Sequence, residues 1–387
     1  MDERIVITGM GTINALGHSV AATWEKLLNG VSAVGPITAF DTTNWNVKLA
    51  CEVSNFDPTQ YMDFKEARRR DRFEQLGVAA AKQALQDSGL EVDGENAYRI
   101  GTVISSAVGG VHTLQEGVYT LEQHGFRHVS PFVVPMMMPN GAASMTGIEL
   151  GIRGPSFGVV SACASGADSI GIAWMLLRSG MVDAVLAGGA EATINSISVG
   201  GFDRAMAMSR QTDPDLAPRP FDRNRDGLVM GEGSAVLALE TESHARARGA
   251  AIYAELAGYG VTADAYHITV PREDGAVAAR AMRMAMQSGH INLDEVGYIN
   301  AHATGTVLND AAETQAIKST FGELAYEIPV SGTKSMTGHM MGATGALEVI
   351  MCALALRDGI IPPTAHYTTP DPACDLDYVP NVARELK

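Results

Sequence analysis

Cysteine is scarce in this chain. Only Cys51, Cys163, Cys352 and Cys374 occur among 387 residues, with no CxxC pair and no framework spacing. That excludes a disulfide scaffold and a cysteine-based structural zinc, and it favours a reducing compartment. Positive charge is short as well. With 28 Lys and Arg against 44 Asp and Glu, the chain carries −16 at pH 7. This excludes nucleic acid as a general partner, because phosphate binding needs a basic footprint. Long apolar runs are missing. "SIGIAWMLL" stops at Arg178, too short to cross a bilayer, so no membrane insertion is expected. "MDERIVITGMG" passes from charge straight into a strand-like run, unlike a signal peptide. A cytoplasmic protein is expected.

What is present is alternation. Short β-branched runs ("RIVITG", "RIGTVIS", "DAVLAGG", "GYINA") are interleaved with Ala-rich helical stretches, the pattern of an α/β fold with buried strands. An internal echo recurs at an offset of 200 residues. "AAAKQALQDSG" (79–89) resembles "VAARAMRMAMQSG" (277–289), pairing Ser88-Gly89 with Ser288-Gly289. Each copy leads through an acidic linker into a strand. Two similar halves are expected, 1–250 and 251–387, meeting near the charged "LETESHARARGA" and packed as one body.

Three stretches carry candidate chemistry. In "VVSACASGADSIG" (159–171), Cys163 falls at or just before a helix N-terminus, where unpaired N–H groups favour a thiolate. A buried structural cysteine is the alternative. In "NAHATGTVLND" (300–310), His302 hangs off a strand exit, with Asp310 and Glu313 reading as the cap of the next helix. A merely exposed histidine is the alternative. "GTKSMTGHMMGATGALEVIMCALALRDG" (332–359) holds Lys334 and His339 in a glycine-punctuated loop before an apolar helix. There Leu347, Ile350, Met351, Leu354 and Leu356 suit one buried face. Glu348 on that helix needs a partner, and Lys334 is a plausible one; the alternative is a helix-entry loop with a surface lysine.

Two rival uses of these residues are weak. No two of Cys163, His302 and His339 are neighbours in sequence, which argues against zinc. "GMGTINALG" has Asn14 where a dinucleotide fingerprint needs glycine. "FKEARRRDRFEQ" (64–75) is the one dense basic patch; Arg68, Arg69, Arg70 and Arg72 read either as a solvated face or as a dock for an acidic partner.

Taken together, "SACASG", "NAHATGT" and "TKSMTGHMMGATGALE", in that order, resemble the β-ketoacyl-acyl-carrier-protein synthases, the condensing enzymes of fatty-acid elongation. "DAYHITVP" (264–271) and "RPFDRNRDGLVMGEG" (219–233) are similar to further signatures of that family. The likeness runs over almost the whole chain and is closest to the type II elongation synthases. It implies a thiolase-like fold, with two βαβαβαββ halves related by a pseudo-dyad and layered α/β/α/β/α. It also implies a homodimer that needs no cofactor or metal and works with acyl carrier protein.

Position by position, the resemblance makes Cys163 the acyl acceptor, His302 and His339 the active-site histidines, and Lys334 and Glu348 their supporting pair. Thr304 and Thr306 would lie beside the malonyl group, and Val108 and Phe202 would line the acyl tunnel. Val134 and Met138, in "VVPMMMPN", fall at the implied dimer contact beside that tunnel. Lys65, Arg68, Arg69 and Arg127 fall where the family docks its carrier. Splitting carbon–carbon bond formation into acyl transfer and condensation calls for a thiol nucleophile. The enolate left by malonyl decarboxylation calls for hydrogen-bond donors.

Two departures stand out. The family's "HGTST" is "HATGT" here. Its closing Gly-Phe-Gly-Gly loop and last strand are not among these residues; in the family the loop's phenylalanine gates the tunnel and one of its N–H groups joins that of Cys163 in the oxyanion hole. Other readings are a non-catalytic chain-length subunit, which the intact Cys163 disfavours, and a polyketide ketosynthase. A cysteine hydrolase would need a single histidine oriented by Asn or Asp.

Overall fold

A computed structural model describes residues 3–386. Its centre is a six-stranded sheet in the order Ser156–Phe157, Ile100–Ser105, Ala184–Glu191, Gly233–Thr241, Ile5–Asn14, Ala254–Glu255. The first three strands are mutually parallel and the others pair antiparallel. Every residue of the four long strands is buried. Such strands must be covered on both faces, and they are.

Side chains alternate along each strand. Val236 and Ala238 point into a core with Phe73, Leu76, Ala80 and Ala84 of the helix Arg72–Ser88. Ala235, Leu237 and Leu239 point the other way, into a core with Ile170, Ala173 and Leu177 of the helix Ser165–Arg178 and with Leu347, Ile350 and Leu354 of the helix Thr344–Asp358. The Arg72–Ser88 helix is Ala-rich and starts on a capping box, Asp71 with Glu74, so propensity, cap and apolar face agree. Leu347, Ile350, Met351 and Leu354 share the buried face of the last helix. Leu356 does not; it is 66% exposed, because two residues beyond Leu354 is 200° round a helix.

The second half carries helices Ala276–Gly289, Val307–Phe321 and Thr344–Asp358. Its strands are shorter than the expected pattern. Ile299–Asn300 runs parallel to Val330–Ser331, and Ile360–Ile361 pairs with Arg384–Glu385. Among the described residues these ladders span only two residues each, and the first strand of this half, Ala254–Glu255, joins the edge of the central sheet beside Ile5–Asn14.

The echo between the halves is present in space, but one residue out of the register read from the sequence. A Cβ on Gly9 would sit 2.2 Å from the Ala84 carbonyl oxygen, and one on Gly258 would sit 2.2 Å from that of Ala285. Gly11 meets Ala80 in the same way, at 2.1 Å, as Gly260 meets Ala281. The left-handed cap closing each helix is therefore Gly89 in one half and His290 in the other. The Ser-Gly identity misaligned them. Gly9 and Gly11 thus serve helix–strand contact, which agrees with rejecting a nucleotide loop.

Candidate active site

Cys163 lies in a single 3-10 turn, Ala162–Ala164, that runs into the helix Ser165–Arg178. The turn is held in an unusual conformation. Ala162 has φ +53°, a left-handed value that costs a non-glycine residue about 1 kcal/mol or more. Ser165, fully buried, locks it: its hydroxyl donates to the Ala162 carbonyl at 2.7 Å and accepts from the Ser161 N–H at 3.0 Å. The small side chains of "ASG" serve close packing. A Cβ on Gly166 would come within 2.6 Å of the Gly342 carbonyl oxygen, so this helix start touches the loop that carries His339.

His339 is buried and pinned through its backbone, donating to Val229 at 2.7 Å and accepting from Gly231 at 2.9 Å. Its Nδ1 accepts the Met341 N–H at 3.0 Å. Burial, then His302 and Lys334, hold its pKa well below the usual value, so the ring is neutral. A neutral ring accepting at Nδ1 carries its proton on Nε2.

His302 leaves the strand Ile299–Asn300 on a loop clamped by Glu313, whose two carboxylate oxygens accept the N–H groups of His302 (2.6 Å) and Ala303 (2.8 Å). Burial and the Lys334 charge lower its pKa to about 3. Ala303, where the family has glycine, takes φ +44°, and the glycine has moved to Gly305 at φ +78°.

The three side chains converge. One ligand atom each from Cys163, His302 and His339 lie within 4.8 Å of one another, and the two rings stand edge to face at 5.4 Å between centroids. The set has the donor types of a zinc site, so the structural grounds for setting a metal aside are weaker than sequence spacing suggested.

Lys334, 1% exposed, donates to Glu348 at 2.6 Å. Burial pushes the Glu348 carboxyl up, and Lys334 pulls it down. Burial also pushes the Cys163 thiol above its ordinary value, opposed by Lys334 and by its own backbone N–H. At rest the sulfur is a thiol, not the thiolate that its place at a helix start suggested, because desolvation outweighs the local positive potential. Thr304 and Thr306 stand next to His302 with hydroxyls 2.9 Å apart.

Two carboxylates at this site, half-buried Glu313 and fully buried Glu191, are not singled out by the sequence. The sequence spacing puts Glu313 in a helix cap with Asp310. The helix begins instead at Val307 behind Thr306, and Asp310 accepts the Phe221 and Gly305 N–H groups. Burial raises Glu313 to about 7. Its spacing three residues after Asp310 was the available signal. Glu191, ending the strand Ala184–Glu191, accepts from Ser106, Ala107, Val108 and Gly342. Burial raises it to about 7 as well.

The other predicted residues sort by distance from this centre. Val108 hangs on the Glu191 turn, and Phe202 packs on a cluster containing Ile194, Val199 and Met341. Val134 and Met138 are exposed, in a segment that presses on Gly109 and Gly110 next to Val108. The basic run divides. Lys65, Arg68, Arg69 and Arg127 face outward, with Arg69 over the Phe132 ring and Arg127 over Phe126. Arg70 and Arg72 do not join that face; they pair with Glu149 and Glu232 inside the molecule. No helix among the described residues is long and apolar enough to cross a membrane.

Comparison with known families decides the rest. Residues 2–245 match the beta-ketoacyl synthase N-terminal domain and residues 253–368 the beta-ketoacyl synthase C-terminal domain.

The chain belongs to the β-ketoacyl synthase family.

It is 47% identical to 3-oxoacyl-[acyl-carrier-protein] synthase 2 of Staphylococcus aureus (strain N315) over 385 residues, covering 100% of this chain and 93% of that protein. The ketosynthase/chain length factor of ishigamide synthesis superposes with a TM-score of 0.93 at 36% identity, covering 100% of this chain and 94% of that one. A type II polyketide ketosynthase solved with its acyl-carrier protein gives a TM-score of 0.91 at 32% identity, covering 100% and 94%. As a β-ketoacyl synthase the chain is a condensing acyltransferase, and its thiolase-like fold accounts for the layered α/β arrangement.

Proposed function

We propose that this synthase elongates fatty acyl chains by decarboxylative condensation of malonyl-acyl-carrier-protein with an acyl group held on Cys163. One observation supports the assignment of roles above all: a sulfur and two neutral imidazoles meet within 4.8 Å beside the buried Lys334 charge.

In the first half-reaction the Cys163 sulfur attacks the carrier thioester. Its S–H proton ends on the departing carrier thiol, so charge balances. In the second, the malonyl thioester loses carbon dioxide, and the electron pair left behind becomes an enolate. Its oxygen is met by the Nε2–H of His339 and by His302. Because both rings are neutral, they donate hydrogen bonds without adding positive charge, and burial, which lowers both pKa values, keeps them so at neutral pH. The enolate carbon then attacks the acyl-Cys163 carbonyl, the C–S bond breaks, and the sulfur recovers a proton. Lys334 lowers the thiol pKa and stabilises the sulfur when it leaves as an anion.

The outward Lys65, Arg68, Arg69 and Arg127, set among aromatic rings on an otherwise acidic protein, form the dock for the acidic carrier. The strand Ser156–Phe157 ends the central sheet, with no partner strand on its outer side among the described residues. With exposed Leu114, Val118, Phe132, Val134 and Met138 nearby in the chain, it is the face proposed for the homodimer. The division into halves at residue 250 places the sulfur in one and both rings in the other. A cytoplasmic setting suits chemistry that needs Cys163 reduced; all four cysteines are free.

Iodoacetamide tests the assignment. Burial holds Cys352 near 12 and Cys374 near 11 and pushes Cys51 higher still, so Cys163 should label first, with loss of condensation measured on acyl and malonyl carriers. Its rate should rise steadily as the pH is raised above neutral, since only the thiolate reacts and burial raises the thiol pKa. Equal labelling of all four cysteines rejects the proposal.

A further inference from the structure

We infer that Glu191 is a positioning residue for His339, joining the turn that carries Val108 to the loop that sets the histidine's tautomer; this rests on the reading above that His339 acts as an N–H donor. Glu191 is fully buried, and four donors converge on its carboxylate. Oε1 accepts the Ser106 hydroxyl at 2.5 Å and the Val108 N–H at 3.4 Å. Oε2 accepts the Ala107 N–H at 2.8 Å and the Gly342 N–H at 2.9 Å. Four converging donors suit an acceptor-only carboxylate.

The residue before Gly342 is strained. Met341 has φ +42°, a backbone state that persists in a non-glycine residue only where its surroundings over-determine it. Two bonds do so. On one side the Met341 N–H donates to His339 Nδ1. On the other, the next N–H, that of Gly342, is anchored on Glu191. If the anchor goes, Met341 can relax to negative φ and its N–H swings away; Nδ1 keeps the Thr344 hydroxyl at 3.3 Å, which can accept as well as donate, so Nδ1 can take the proton that belongs on Nε2. The donor aimed at the enolate is then lost, although the imidazole remains. The same carboxylate fixes the backbone of Ala107 and Val108, and Ala107, Phe202 and Met341 share one apolar cluster. The acyl-pocket wall and the histidine loop therefore hang on a single side chain.

Glu191→Gln is the first test. An amide presents one acceptor and one N–H₂ to four donors, so it cannot hold both loops. In protein labelled with ¹⁵N-histidine, wild-type His339, assigned by loss of its signals in His339→Ala, should show Nδ1 unprotonated and Nε2 protonated, while E191Q should show exchange between tautomers. Malonyl decarboxylation should fall at least tenfold in kcat with KM changed less than threefold. Cys163 should be alkylated by iodoacetamide no more slowly than in the wild type, because the Glu191 charge opposes the thiolate. Adding Met341→Gly, which removes the strain the anchor restrains, should recover activity threefold or more.

An unchanged His339 spectrum in E191Q, or equal losses in decarboxylation and alkylation, overturns the inference. So does failure of M341G to rescue. If E191Q does not fold, shown by labelling of Cys51 and Cys352, Ser106→Ala carries the test: decarboxylation about threefold lower with alkylation unchanged supports the role, and wild-type behaviour overturns it. A wild-type protein that makes no product would defeat the proposed reaction, while the tautomer measurement still decides this point.

Discussion

The two halves reach the site by different means. The first half brings its sulfur on a helix start, at a strained turn whose Ala162 and Ser165 lock it locally. The second half brings two rings on loops, and loops alone do not hold a ring to within an ångström. Each is held by a carboxylate that accepts backbone N–H groups: Glu313 for the His302 loop, and Glu191, reaching across from the first half, for the His339 loop. A nucleophile has to present one atom at one place, and a turn closed by near neighbours suffices for that. A pair of hydrogen-bond donors has to be oriented as well, and orientation is supplied by charge-assisted bonds from carboxylates outside each loop, Glu313 on the helix that follows and Glu191 from the other half.

This contrast can be broken by treating the halves separately. Cys163→Ala should abolish acyl transfer, whereas His339→Ala should leave acylation of Cys163 by an acyl carrier within a few-fold and cut condensation 10²–10³-fold, the usual cost of one lost oxyanion donor. Single-turnover acylation against steady-state condensation measures the split; equal losses in both steps would erase the distinction.

Next comes the division of the basic run. Arg70→Ala should lower unfolding free energy by about 2 kcal/mol, less than the 3–5 expected for a stranded buried charge because Lys82 still pairs with Glu149. Arg68→Ala should leave stability unchanged and weaken carrier binding, more so at low salt. Denaturant melts and titration with carrier protein distinguish them.

The smallest effect tests the equivalence of the halves. Gly9→Ala and Gly258→Ala each place a Cβ against a helix carbonyl and should each cost about 1–3 kcal/mol of stability. A silent Gly258→Ala would show that the helix Ala276–Gly289 is held less tightly than Arg72–Ser88.

Much of the site was readable because its chemistry-bearing residues sit in short glycine- and serine-rich loops that stand out from their surroundings: Cys163, His302 and Lys334 with His339; Glu348 stood out as an acid among apolar residues in mid-helix. What escaped were residues whose partners lie far along the chain. Glu191 ends a strand and looks like a surface acid until Ala107 and Gly342 arrive from 84 and 151 residues away. Arg70 and Arg72 look like Arg68 and Arg69, and only the packing of the Arg72–Ser88 helix turns them inward to Glu149 and Glu232. Asp310 resembled a helix cap, and the fold uses it to accept the Phe221 and Gly305 backbones.

The amino-acid order alone determined the α/β alternation and the place of the sulfur at a helix start, since propensity and turn chemistry act over a few neighbouring residues, and the family resemblance of its motifs supplied the two histidines. Tertiary structure alone decided that the thiol stays protonated, that both imidazoles are neutral, and that the His339 proton rests on Nε2. Those states depend on desolvation and on the Met341 N–H bond to Nδ1, in a loop that Glu191 anchors from the other half, and neither is complete until the two halves have closed on each other.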